Sequence, residues 1–243
     1  MTIPRFYFPD NLASGMRAAL PSQAAHHAAK VLRLRTGDEI ALFDGNGGEY
    51  AALINDIGKH GVTVQIGAHR AGERESPLCV TLAQAISSGD KMDLTLQKAT
   101  ELGIACIQPL ESERSVVRLS GERAEKRVIH WQGVVISACE QCGRNQIPQV
   151  AAIRRIHDWL GIAEKSGPRL MLSPGAALRL RDLPRPEQPV TLLIGPEGGF
   201  SEPETISAQH AGFTPIRLGA RILRTETAAL AALAAMQALW GDF

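Results

Sequence analysis

Gly195, Gly198 and Gly199 stand within five residues of one another, in the run Val190-Thr191-Leu192-Leu193-Ile194-Gly195-Pro196-Glu197-Gly198-Gly199-Phe200-Ser201-Glu202-Pro203-Glu204. An apolar stretch of strand length enters this loop. Ser201 and Glu204 have the spacing of a capping box, so a helix leaves it. Glycines leave backbone N–H and C=O groups open to a closely approaching ligand. In an open α/β sheet such ligands sit beyond the carboxyl ends of the strands. The loop is neither GxGxxG nor a Walker P-loop, because no Lys-Ser/Thr pair follows, so neither a dinucleotide nor a triphosphate is indicated. A tight strand-to-helix turn that binds nothing is the competing reading.

Two further loops have the same setting. Leu218-Gly219-Ala220-Arg221-Ile222-Leu223-Arg224-Thr225-Glu226-Thr227-Ala228 leaves an expected strand and enters a helix. Thr225 has the chemistry of an N-cap, and Glu226 suits the positive end of the helix. Leu218, Ile222 and Leu223 would wall an apolar slot, while Arg221 and Arg224 would face an anion or water. Met171-Leu172-Ser173-Pro174-Gly175 is the third loop. Converging, the three would make a mostly apolar pocket rich in backbone polar groups, which suits a nucleoside better than a sugar phosphate.

The elements that must position these loops change character near residues 67–77. Before that point, strands are expected at 5–8, 40–43, 50–54 and 62–66, with a short helix capped by Ser22 and running through Lys30-Val31-Leu32, and a glycine-rich turn at 44–48. Short strands at this spacing read as a small β-barrel. After it, strands at 80–86, 105–107, 169–172, 190–194 and 215–218 alternate with helices that run from Ser88 or Asp90 to Leu102 and over about 122–139, 202–211 and 226–240. That rhythm means a mostly parallel sheet with helices packed on it. The boundary is set at 72/73, giving a small domain over 1–72 and a larger one over 73–243.

The 26 Lys and Arg against 25 Asp and Glu leave a net charge of +1, so overall charge does not point to a nucleic acid and only a local patch can. No apolar run approaches the roughly 20 residues that span a bilayer, and the N-terminus lacks a secretory layout. A cytoplasmic protein with reduced thiols and no membrane partner is expected. Cys139 and Cys142 form the single CxxC, at the end of a long helix and without the second pair a structural zinc needs, so no metal is expected. Cys79 and Cys106 lie in apolar runs and read as core residues.

Several separated segments resemble the RsmE family of ribosomal RNA methyltransferases, within the SPOUT superfamily. Lys98-Ala99-Thr100-Glu101-Leu102-Gly103 resembles its KATELG segment, Arg114-Ser115 its RS pair, and Glu140-Gln141 with Arg144 and Ile147-Pro148 its EQ-x-x-R-x-x-I-P. Residues 194–201 resemble IGPEGGFS, residues 218–228 resemble LGxRILRTETA, and Val31-Leu32-Arg33 with Gly37-Asp38 resemble VLR and GD. The matches run in order along nearly the whole chain. The resemblance implies a PUA-like RNA-binding β-barrel, then a SPOUT domain with a deep trefoil knot, working as a homodimer. It implies S-adenosylmethionine as cofactor and N3-methyluridine in 16S rRNA of the small ribosomal subunit as product. The cofactor would lie against Met171, Leu172, Ser173, Ile194, Gly195, Pro196, Glu197, Gly198, Gly199, Leu218, Gly219, Ile222, Leu223 and Thr225.

Methylating a uracil N3 requires in-line positioning, removal of the imide proton, and donors for the charge that spreads onto the carbonyl oxygens. Arg114 and Arg144 are the candidate donors, Glu140 and Glu197 the candidate bases; each Glu and Arg has ion pairing as its plainer role. His26, His27, Lys30, Arg33 and Arg35 cluster within ten residues, and helical spacing puts His26, Lys30 and Arg33 on one face. With Arg5, Arg221 and Arg224 they are the candidate RNA contacts, although residues 1–72 are nearly neutral, with seven basic and six acidic residues. A non-catalytic RNA-binding or ribosome-assembly factor on the same fold is the alternative function.

Overall fold

The computed structural model describes residues 3–59, 61–163 and 166–243. The chain forms two compact units. One reaches to Glu75 and takes in Cys139–Ile147; the other comprises Ser76–Ala138 and Pro148–Phe243. The first unit is therefore discontinuous in sequence.

The first unit contains β1 (Arg5–Tyr7), β2 (Arg17–Ala19), α1 (Ser22–His26), β3 (Glu39–Phe43), β4 (Glu49–Gly58) and β5 (Gly61–Arg70). Its five strands run in the order β1-β3-β4-β5-β2, with β1 parallel to β3 and the other pairs antiparallel. Val62, Val64 and Ile66 are buried at the two-residue period of a strand, against Phe6, Ile40, Leu42 and Ile54. The turn into β4 follows from Asp44, whose carboxylate accepts the Asn46 N–H at 3.0 Å, and from positive φ at Gly45, Gly47 and Gly48. Ser22 does not cap α1. Pro21 holds that position with extended φ and ψ, and Ser22 is the first helical residue. A π-helical turn, His27–Val31, follows α1 directly.

The second unit contains β6 (Val80–Ala85), α2 (Lys91–Glu101), β7 (Cys106–Glu111), α3 (Glu122–Cys142), β8 (Gln149–Val150), β9 (Arg154–Arg155), α4 (Ile156–Ile162), β10 (Arg169–Leu172), β11 (Val190–Ile194), α5 (Glu202–His210), β12 (Thr214–Ile216) and α6 (Thr225–Trp240). The last residues of α3 group with the first unit. The sheet order is β12-β10-β11-β6-β7-β8, with β9 also on β7, and every pairing is parallel. Helices cover both faces, which is why β11 is apolar throughout: Leu192 and Leu193 point to opposite faces and both are fully buried. β10, β11 and β12 are neighbours, so the three chemistry-bearing loops leave one stretch of sheet edge in the same direction.

The connection between β10 and β11 is pinned beside the exit from β12, where Arg217 donates its N–H to Leu178 and accepts that of Leu180. The capping box of α5 is present in full: Ser201 Oγ accepts the Glu204 N–H, and the Glu204 carboxylate accepts the Ser201 N–H. Cys79 and Cys106 are not core residues. Cys79 is exposed between buried Leu78 and Val80, as strand alternation dictates, and Cys106 is half-buried.

Candidate active site

A cavity of about 320 Å³ lies at the carboxyl ends of β10, β11 and β12. All fourteen residues expected around a nucleoside cofactor line it, together with Arg114 and Arg221. Six more wall residues were not singled out by sequence: Pro174, Phe200, Thr205, Ile216, Arg217 and Ala228. A periodicity argument finds two of them. Thr205 and Ala228 lie one helical turn beyond Ser201 and Arg224, the N-caps of α5 and α6.

The glycine loop is held in shape from several sides. Gly199 donates its N–H to Pro196 at 2.9 Å, closing a turn, and has φ of +67°. A Cβ at Gly195 would stand 3.3 Å from both the ring and the backbone nitrogen of Phe200, so the loop folds onto itself where only glycine fits easily. Thr225 does not act as an N-cap. Arg224 caps α6, and the Thr225 hydroxyl, the first inside the helix, donates to the Gly195 carbonyl at 2.7 Å. That hydroxyl also accepts from the Gln84 amide at 3.0 Å, so β6, the glycine loop and the start of α6 share one buried junction.

Arg114 grips the loop from outside, its Nη1 donating to the Gly198 carbonyl at 3.0 Å and the Phe200 carbonyl at 3.4 Å. Next to it, Glu113 donates its N–H to Glu204 at 2.7 Å, tying the segment after β7 to the start of α5. Glu197 is tethered too. One carboxylate oxygen accepts the Ser88 N–H at 3.1 Å, the Ser88 hydroxyl at 3.0 Å and the Lys91 ammonium at 3.2 Å. Burial alone would raise this carboxyl. Its own backbone N–H and that of Ser88, the Lys91 ammonium and the Ser88 hydroxyl outweigh burial and hold it below the usual carboxylate range.

Glu140, Arg144 and Arg5 do not line the cavity; they build the first unit. Arg144 is only 5% exposed and forks onto Glu75, with Nε at 3.2 and 3.0 Å from the two carboxylate oxygens and Nη2 at 2.5 Å. Arg5 pairs with Glu49 and donates to the Arg144 carbonyl at 3.0 Å and to Asn145 Oδ1 at 2.8 Å. Asn145 in turn donates to the Gly72 carbonyl at 2.7 Å. Cys139, in the same segment, donates to the Gln146 carbonyl at 3.6 Å, and burial pushes its thiol up to about 12, which keeps it protonated and unreactive. Among the described residues no three His, Cys, Asp or Glu side chains cluster as metal ligands would.

Glu140 accepts the Tyr7 N–H at 3.0 Å. Burial raises its carboxyl above the usual range, against the pull of that N–H, His27 and Arg5. A raised carboxyl favours the folded state when neutral. The cost of ionising it inside the fold sets in as pH climbs past the ordinary carboxylate pKa and is complete above the raised one. Glu140→Gln keeps an oxygen for the Tyr7 N–H and removes the charge. Scanning calorimetry should give this variant a Tm at or above wild type at pH 7, with the gap closing as pH falls to about 4, near the ordinary carboxylate pKa. A lower Tm at pH 7 would show that the charge itself is needed.

Of the expected RNA contacts, Arg221 lines the cavity and Arg224 caps α6 outside it. His26, Lys30, Arg33 and Arg35 are all exposed. They do not share one helical face, because the α-helix ends at His26 and Arg33 lies beyond the π-turn.

With this geometry in hand, the chain can be compared with known proteins. A family model for an RNA methyltransferase domain matches residues 74–237, and one for an RNA methyltransferase PUA domain matches residues 20–67. The ribosomal RNA small subunit methyltransferase E of Buchnera aphidicola subsp. Schizaphis graminum is 38% identical over 240 residues, covering 99% of this chain and 98% of that one. The chain belongs to the RsmE family. Two solved structures share its fold over 100% of both chains. One is the RsmE protein of Neisseria gonorrhoeae bound to S-adenosyl methionine, 48% identical with a TM-score of 0.95. The other is a putative methyltransferase of Legionella pneumophila with bound cofactor SAM, 41% identical with a TM-score of 0.96. RsmE membership carries the SPOUT-type knotted domain behind a PUA domain. The sheet is parallel throughout, with β11 between β10 and β6.

Proposed function

We propose that this RsmE chain transfers a methyl group from S-adenosylmethionine to N3 of a uridine in 16S rRNA of the small ribosomal subunit, acting as a cytoplasmic homodimer. The observation that carries the reading is the gathering of three glycine-bearing loops around one cavity. Its chemistry fits the cofactor. Leu172, Ile194, Leu218 and Leu223 offer apolar wall to a nucleoside, and the glycine loop brings backbone close without the Lys-Ser/Thr of a phosphate cradle. The relatives with the cofactor bound support the same assignment.

When bound, the cofactor supplies an electrophilic methyl group; the chain's own residues do the rest. Residues 171–173, 194–199 and 218–225 hold and orient it. Arg114 uses Nη1 on the loop carbonyls and retains further N–H donors at the cavity wall. These suit the charge that spreads onto the uracil oxygens once N3 loses its proton. Glu197, held ionised by its donors, is a weak proton acceptor and is assigned the task of fixing the loop. Glu140 lies outside the cavity, in the first unit, with one oxygen taken by the Tyr7 N–H, and is assigned a structural role there. Arg144, committed to Glu75, is a positioning residue of the first unit. That unit is the RNA-holding module, and exposed Arg221 at the cavity rim faces phosphate. No helix among the described residues is long and apolar enough to cross a membrane.

The test is to incubate the purified protein with labelled methyl donor and small subunits that lack the modification, then map the labelled nucleotide. One methyl on N3 of one uridine is expected. RNA association without incorporation would make the chain a non-catalytic assembly factor.

A further inference from the structure

Arg33 is the one non-glycine residue with a positive φ, +55°, among the described residues. It ends a helix that is itself irregular. α1 gives way to the π-turn His27–Val31, in which Leu32 donates its N–H to the His27 carbonyl at 2.9 Å. Leu34 then donates to the Ala28 carbonyl at 3.0 Å, closing the end around a left-handed residue. Helices that stop this way place glycine or asparagine at the left-handed position, because a Cβ there crowds the following carbonyl. An arginine has neither advantage. Backbone strain and π-turns both concentrate where a side chain must be presented in a particular direction.

What the turn presents is consistent along its length. Ala28 is fully buried and Leu34 packs on the sheet core, which anchors both ends. Between them Val31 is 61% exposed and Leu32 41% exposed. Lys30, Arg33 and Arg35 flank the two, and none of their side chains has a hydrogen-bond or ion-pair partner among the described residues. The nearest carboxylate, Asp38, accepts the Arg35 backbone N–H at 2.7 Å, and Glu39 is exposed beside it. Unpaired cations around exposed apolar side chains suit an RNA strand whose bases are unstacked: phosphates meet the cations, and base faces lie against the apolar residues and the guanidinium planes. A duplex hides its base faces and offers only phosphates.

We infer that residues 30–35 form a single-strand RNA contact, in which the strained backbone of Arg33 aims its guanidinium at a phosphate while Val31 and Leu32 carry a base. This deepens the proposed function, on which it rests, by naming the form of RNA the first unit grips. The test uses the full chain and fluorescence anisotropy over a salt series, with a labelled 20-nucleotide oligouridylate and an RNA duplex of equal length. Arg33→Gly relieves the backbone and removes the cation. Its Tm should match or exceed wild type, while its affinity for the single strand falls at least about fivefold and its log–log salt slope drops by about 0.7, the value for one phosphate on a single strand. Leu32→Ser should lose affinity several-fold with its salt slope unchanged, since it removes contact area and no charge. Neither variant should change cofactor binding. Wild-type affinity in both variants, or equal losses on the duplex, would overturn the inference. Unchanged RNA affinity in variants of a chain that methylates small subunits removes only this contact. Loss of affinity in variants of a chain that transfers no methyl group removes only the enzymatic reading.

Discussion

Gly199→Val should weaken cofactor binding by about an order of magnitude and leave the protein folded. Gly199 has φ of +67°, and a Cβ there would meet nothing within 4 Å, so bulk alone does not exclude a side chain. The obstacle is the backbone. A left-handed conformation costs an L-residue about 1–2 kcal/mol, and a β-branched residue sits at the upper end. To escape it the loop must rotate. That breaks the turn from Gly199 to Pro196 and shifts the Gly198 and Phe200 carbonyls that Arg114 holds. Since Gly195 through Phe200 form one wall of the cavity, the wall is lost as a unit. Calorimetric titration with S-adenosylmethionine should show affinity reduced about 5- to 30-fold, since restoring the wall costs at most about 1–2 kcal/mol of left-handed strain. Tm should move by only a few degrees, because the loop is exposed at Gly198 and Gly199. Gly199→Ala, unbranched, should lose less. A valine variant that bound like wild type would show that this wall does not hold the ligand.

Arg144→Ala should have the largest effect on stability. The guanidinium lies buried against Glu75, whose side chain is 20% exposed, and the Arg144 carbonyl is tied to Arg5. Removing one partner of a buried pair leaves the other charge uncompensated, at a cost of about 3–5 kcal/mol. For a unit of this size that corresponds to a fall in Tm of more than about 10 °C. The double variant Arg144→Ala with Glu75→Ala should recover part of the loss, because no orphaned carboxylate remains. A wild-type Tm in Arg144→Ala, accompanied by loss of methyl transfer, would instead return Arg144 to direct chemistry.

The cavity was legible because its determinants are local. Each wall segment is a glycine-bearing loop behind an apolar strand, and parallel neighbours send such loops to the same edge. The capping box Ser201/Glu204 was legible for the same reason. What escaped is short or non-local. β8 and β9 have two residues each and α4 only seven, too few to display a period. β2, Arg17-Ala18-Ala19, carries no apolar alternation and is fixed by pairing with β5. The roles of Glu140 and Arg144 were obscured because residues 139–147, the last turn of α3 and the segment after it, belong with the first unit although the rest of α3 belongs with the second. Thr225 has the residue type of an N-cap, yet its hydroxyl is engaged by a carbonyl thirty residues away. The shift from α1 to a π-turn leaves no trace in the spacing of His26, Lys30 and Arg33.

The most direct measurement is a crystal structure after soaking in S-adenosylmethionine. The adenosyl group should lie against Leu172 and Leu218, with Gly195–Gly199 closing over it. Density elsewhere on the chain, or a clear cavity at saturating concentration, would contradict the account at its root.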